Sequence, residues 1–173
     1  MRNKINNNTL LVVFGALLVL TVILFSGNND HRERSFDKDI VAFSSEDISL
    51  VKLYPKSMNG ESYSIVKEAE QWLLESGGKQ YKANDDEVNS MLTALETLDV
   101  QSLVANNQGR WAKYEVTDSL ASRVQLFEGD DIIADLYIGK FKFSQPRNMS
   151  TYVREGGEDE TYRVNGFLSS TFN

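Results

Sequence analysis

The longest apolar stretch of the chain runs from Thr9 to Phe25, with no charge, no proline and a single glycine, Gly15. At a helical rise of about 1.5 Å per residue it covers roughly 25 Å, slightly less than a hydrocarbon core of about 30 Å. Snorkelling of Arg2 and Lys4 closes that gap. A removable export signal needs small residues before its cleavage point. A cut after Ser26 or Gly27 leaves Leu24 or Phe25 three residues back. The stretch is therefore expected to stay as a transmembrane anchor over residues 1–26, with a cleaved signal as the alternative. Arg2, Lys4 and the amino terminus favour a cytoplasmic start, so the remainder is expected to face outward. Residues 27–38 are polar and rich in charge, and read as a tether.

Beyond the tether the apolar positions mostly alternate. Ile40–Phe43 and Ile48–Tyr54 read as strands, and Pro55 ends the second. Tyr63–Lys67 and Gln71–Glu75 read as a hairpin, broken by "SGG" at Ser76–Gly78. The period then changes. Asn84 is placed to cap a helix, Glu87 to reach back to the cap, and Asp85 and Asp86 to face the positive end of the helix dipole. Val88, Met91, Leu92, Leu95 and Leu98 follow on one stripe. Val100–Ala105 reads as a strand, and "RWAKYEV" as a short helix or turn. Val124 and Leu126, then Ile132, Ala134, Leu136 and Ile138, share faces of two strands joined at Gly129–Asp130. Gly139–Lys140 is expected to open a loop reaching Pro146. Thr151–Arg154 and Thr161–Val164 form a last hairpin, and "NGFLSSTFN" a short helical end whose apolar character leads to the expectation that the natural chain, or a partner segment, continues it. The predicted fold class is α+β: an N-terminal transmembrane helix, then one domain over residues 39–173 of antiparallel hairpins packed with one or two amphipathic helices.

Charge narrows the partners. From Asp37 onward 14 Lys or Arg face 23 Asp or Glu, a balance of −9, which opposes binding to nucleic acid or to an anionic membrane surface. The absence of cysteine excludes disulfides, thiolate metal sites and thiol nucleophiles. His31, the single histidine, lies in the tether, which rules out histidine metal triads. The acidic groups "EGDD" and "GGEDE" fall at hairpin tips, where carboxylates are solvated turn residues. A hydrolase built on Glu128–Asp131 and Glu158–Glu160 is the weakest alternative. No catalytic, cofactor-binding or metal-ligating residue is assigned, and no cofactor is expected. Trp72, Trp111, Tyr114, Tyr137 and Tyr152 are core candidates that also suit a stacking platform for a sugar or peptide. Arg110, Trp111 and Tyr114, beside Lys113, form the candidate partner contact.

The succession of "WLLESGGKQYKANDDEVNSMLTALETL", "YEVTD", "VQLFEGDDIIADLYIGK" and "TYVREGGEDETYRV" resembles the bacterial family called domain of unknown function 4340. In that family a tryptophan-bearing strand and a "Y.A...V..LL..L" helix lead to "Y.V.D", "L.IGK" and "TYVR...VY.V". The "YRV" ending follows its pattern loosely. The resemblance covers nearly all of the chain after the tether, and the family domain tends to run longer. It implies an accessory envelope protein associated with gliding-motility or ABC-type export systems, with no catalytic residues to carry over. The expected function is a non-enzymatic module anchored in the bacterial inner membrane. Its domain would face the periplasm or cell exterior, touching the bilayer through its N-terminal helix and a protein of a transport complex through its domain. A glycan- or peptidoglycan-binding domain is the alternative.

Overall fold

Among the described residues nine strands, each antiparallel to its neighbours, make a single sheet. The computed structural model describes residues 40–58, 61–144 and 148–172, and in addition Phe14. Contacts divide the chain into Met1–Asp37 and Lys38–Asn173, and the account below concerns the second unit. Its elements are β1 (Leu50–Tyr54), β2 (Tyr63–Glu68), β3 (Gln71–Ser76), β4 (Lys79–Lys82), α1 (Asp85–Glu96), β5 (Val100–Ala105), α2 (Trp111–Tyr114), β6 (Ser122–Glu128), β7 (Asp131–Ser144), β8 (Asn148–Glu155) and β9 (Thr161–Asn165). The strand order is β4-β3-β2-β1-β6-β7-β8-β9-β5. Two meanders meet where β1 pairs with β6, and the segment carrying α1 leads from β4 at one edge to β5 at the other.

The α+β expectation is corrected by this arrangement. The domain is mostly antiparallel sheet, with helices of only 12 and 4 residues. Among the described residues no helix is long and apolar enough to cross a membrane. The expected anchor at residues 1–26 lies, apart from Phe14, outside the described residues, as does His31.

Three local expectations also change. Ile40–Phe43 is not a strand, although Ile40 and Val41 are buried in the main core. Two adjacent side chains that both enter the core do not follow the alternation of a strand. Lys79–Lys82 is a strand whose four residues are all exposed, so no apolar pattern announces it. Gly77 and Gly78, with φ of 57° and 74°, form the two-residue turn that returns it to β3. Both positions take the left-handed region that primed hairpin turns demand. Finally, β7 does not end at Gly139. A bulge between Ile138 and Phe141 absorbs one extra residue, and pairing with β8 continues to Ser144.

The helix forms where its cap and stripe place it. The Asn84 side chain accepts from the Asp86 N–H at 3.2 Å, and Val88, Met91, Leu92 and Leu95 are buried. Asp85 does more than face the helix dipole. Its carboxylate accepts the Trp72 N–H at 2.9 Å and ties the first turn to β3. The stripe packs with Val51, Leu53, Val124, Leu126, Leu136, Val153 and Val164 in the main core. Thr151, fully buried, donates to the Gly166 carbonyl at 2.9 Å and accepts from the Leu168 N–H at 3.1 Å. That bracket turns the last residues inward, and Leu168 and Phe172 join the same core. The apolar residues of the C-terminal segment thus have partners inside the domain.

Candidate functional site

Alternation sends the other residues of the central strands to a second face. Arg123 and Gln125 of β6 oppose Tyr137 and Asp135 of β7, and Tyr152 and Arg154 follow on β8. The segment from Gln108 to Ala121 lies over this face. Ala105, Tyr114, Val116, Ala121, Tyr137 and Tyr152 form a second core cluster there, with Trp111 packed against it.

Arg154 is its centre. Its side chain is only 4% exposed, and its guanidinium lies 3.9 Å from the ring centroids of both Trp111 and Tyr137. Nε donates to the Val116 carbonyl at 3.1 Å and Nη1 to the Glu155 carbonyl at 3.2 Å. Asp118, at 3.8 Å, is largely exposed and adds little in water. A planar cation held between two aromatic faces, with donors in its own plane aimed at carbonyls, uses geometry that lysine lacks.

Arg123 lies on the other side of Tyr137, its guanidinium carbon 5.1 Å from that ring's centroid. It forms a two-pronged pair with Asp135, Nε to Oδ1 at 2.7 Å and Nη2 to Oδ2 at 2.6 Å. These bonds raise the guanidinium above its ordinary range, against the opposing effect of burial. Tyr137 is pushed up from its ordinary value of 10.0 by burial first, then by its hydroxyl's hydrogen bond to Asp118. Tyr54, Pro55, Lys56, Asp118, Ser119 and Ala121 complete a cleft of about 370 Å³ beside Arg123 and Tyr137. Lys56 at its rim pairs with Glu115 at 2.8 Å. The cleft's arginine and its lysine each already hold a carboxylate.

A larger groove, about 790 Å³, lies between α1 and strands β1 to β3, floored by Leu53, Ile65, Leu74, Val88 and Met91. Its rim carries Lys82, Asp86, Glu87, Ser90 and Thr171.

The predicted contact residues are brought together unevenly. Arg110 is exposed at the end of a 3₁₀ turn, Gln108–Arg110. Trp111 is half-buried, one side against Arg154, and its indole N–H donates to the Asp159 carbonyl at 3.0 Å. Tyr114 is 8% exposed, donates to the Val104 carbonyl at 3.2 Å and packs on Tyr152 at 4.7 Å. It is a core residue. Of the five aromatic residues considered for a platform, Trp111, Tyr114, Tyr137 and Tyr152 meet on this face, while Trp72 belongs to the main core. The three tyrosines are buried and offer no open stacking surface. Glu128, Asp130 and Asp131 are exposed at the β6–β7 turn, and Glu158 and Asp159 are exposed in the β8–β9 loop. Among the described residues no group of three or more His, Cys, Asp or Glu is placed to hold a metal ion.

Sequence reasoning gave Arg154, Arg123 and Asp135 no role and read Gly139 as the start of a loop. A signal for two of them stands in the motifs. The "IGK" glycine is required because a Cβ at Gly139 would strike the Tyr114 carbonyl oxygen and come within 2.8 Å of Val116 Cγ1. The arginine of "TYVR" is the buried clamp, and the threonine of that motif is the C-terminal bracket.

Neither the curated proteins nor the solved structures include a match to this chain. Residues 75–173 match the family described as a domain of unknown function, DUF4340. The match begins at the end of β3, so Trp72 and the strands before it lie outside it, a narrower span than the resemblance implied. Over more than half its length, from Glu75 to Asn173, the chain belongs to the DUF4340 family.

Proposed function

We propose that this protein is a non-enzymatic, membrane-anchored module whose domain faces the periplasm or cell exterior and binds a protein of an envelope complex. One observation carries the binding half. The charged groups of the second face are engaged with one another, Arg123 with Asp135, Lys56 with Glu115, and Arg154 with two rings and two carbonyls. Such an arrangement holds a surface rigid, and a rigid surface loses little conformational freedom on association. Arg110 and the outer part of Trp111 stand at its margin and supply the contact. The apolar run at residues 9–25 supports the anchor. An ABC-type export or gliding-motility complex is the setting that the motif resemblance suggests.

The test is affinity capture of the full chain from native membranes, with the Arg110→Glu variant run in parallel. Recovery of transporter or motility subunits, reduced about tenfold or more by the charge reversal, is expected, since rim charges govern association. Equal recovery with both forms, or no envelope protein recovered at all, overturns the proposal.

A further inference from the structure

Among the described residues of the domain, four of the seven exposed large apolar side chains lie in one place. Phe141 is 51% exposed, Phe143 57%, Met149 44% and Phe167 39%. Strand pairing explains why they meet. Phe143 is directly opposite Met149, and alternation puts Phe141 on the same face, where its ring meets Phe167 edge-on at 4.7 Å.

This strip belongs to a ribbon that outruns its neighbours. The pairing of β6 with β7 stops at Ile138, and that of β9 with β8 stops at Ser150. Beyond those points the register joins Phe143 to Met149 and Ser144 to Asn148, and the Met149 carbonyl also accepts from the Gly166 N–H at 2.9 Å. The end of the ribbon runs past β6 and β9, with the C-terminal segment packed beside it.

Its charge is as distinctive as its shape. Lys140 and Lys142 are exposed on it, and among the described residues neither is in an ion pair. No acidic residue occurs from Gly139 through Arg154, in a chain of net charge −7. Lys142 projects from the face opposite the rings and Lys140 lies in the bulge, which matches a bilayer interface: the rings enter the acyl boundary while the ammonium groups, on long stems, remain at the lipid phosphates above them. We propose that the β7–β8 ribbon docks on an anionic phospholipid surface, with Phe141, Phe143, Met149 and Phe167 inserted and Lys140 and Lys142 at the headgroups. The contact is additional to the proposed N-terminal anchor and independent of the partner surface.

The lack of cysteine permits a clean probe. Phe143→Cys in the full chain, labelled with an environment-sensitive NBD fluorophore, is reconstituted with vesicles of phosphatidylcholine alone or mixed with phosphatidylglycerol. The label should brighten and shift to the blue only in the mixed vesicles, and high salt should reverse the change. Adding Lys140→Gln or Lys142→Gln should lower the docked-to-free ratio about fivefold for each cation removed. A label at Tyr81→Cys, on exposed β4, should not respond. A silent label on a chain that floats with the mixed vesicles overturns the ribbon proposal and leaves the anchor standing. An equal response in both lipids, or at position 81, overturns it too. A responsive label on a chain that carbonate strips from the vesicles supports the ribbon and removes the anchor.

Discussion

Replacing Arg154 by lysine keeps the charge and removes the fork, so it isolates what the clamp contributes. A desolvated cation–π contact is worth about 2 kcal/mol, and a hydrogen bond from a charged donor about 1.5–3 kcal/mol. Arg154 makes two of each, at 3.9 Å to both rings and at 3.1 and 3.2 Å to the carbonyls. A lysine ammonium reaches one ring or one carbonyl well, but not the full set. With non-additivity allowed for, the expected loss is about 3 kcal/mol. In a chain of this size that lowers the melting temperature by roughly 10 °C. Urea unfolding, followed by tryptophan emission and by far-UV circular dichroism, measures it directly. Asp118→Asn is the control. The Asp118 side chain is 85% exposed and 3.8 Å from Arg154, and an asparagine oxygen still accepts from the Tyr137 hydroxyl, so the change should cost less than about 1 kcal/mol. If Arg154→Lys unfolds at the wild-type urea concentration, or if Asp118→Asn costs as much, the stacked fork is not what holds the 108–121 segment to the sheet.

Gly139→Ala should destabilise by about 3 kcal/mol, because the new methyl meets backbone at Tyr114, which no rotamer change relieves. A thermal melt unchanged from wild type would show that β7 does not approach α2 this closely. Alkaline stability should follow the tyrosines. Tyr63 and Tyr137 are both raised above 10.0, chiefly by burial, so the folded state keeps protons that the unfolded state releases. Their contribution is whole below pH 10.0 and is lost as pH rises through the higher folded values. Melting temperatures across that range should fall, and fall less steeply in Tyr137→Phe; parallel profiles for the two proteins would refute the assignment.

Local pattern alone fixed a good part of the domain. The helix was legible because its cap, acidic first turn and apolar stripe are all near neighbours in sequence. The β2–β3 hairpin and the cores of β6, β7, β8 and β9 were legible from period-two alternation. The strand at Lys79–Lys82 was not, because a fully exposed edge strand forms through backbone pairing and leaves no apolar trace. The continuation of β7 past Gly139 was hidden for another reason. Glycine followed by lysine reads as a breaker, and only the tertiary packing shows that the glycine is there to let Tyr114 come close.

The candidate site depended on folding still more. Trp111 and Tyr114 drew notice by their spacing, yet spacing does not say which ring is buried, and Tyr114 proved to be core. Arg154 and Trp111 are 43 positions apart in the sequence, and Arg123 and Asp135 are joined only by the register of β6 on β7. The overall balance of −9 argued against anionic surfaces because a sum has no direction. The sheet supplies the direction: it gathers Lys140 and Lys142 with exposed Phe141, Phe143 and Met149 on one ribbon, beside Phe167. Sequence determines which residues can be inside, since burial of apolar groups follows local period. Which charges meet, and where they face, is decided by strand order and register, because those contacts join residues remote in the chain.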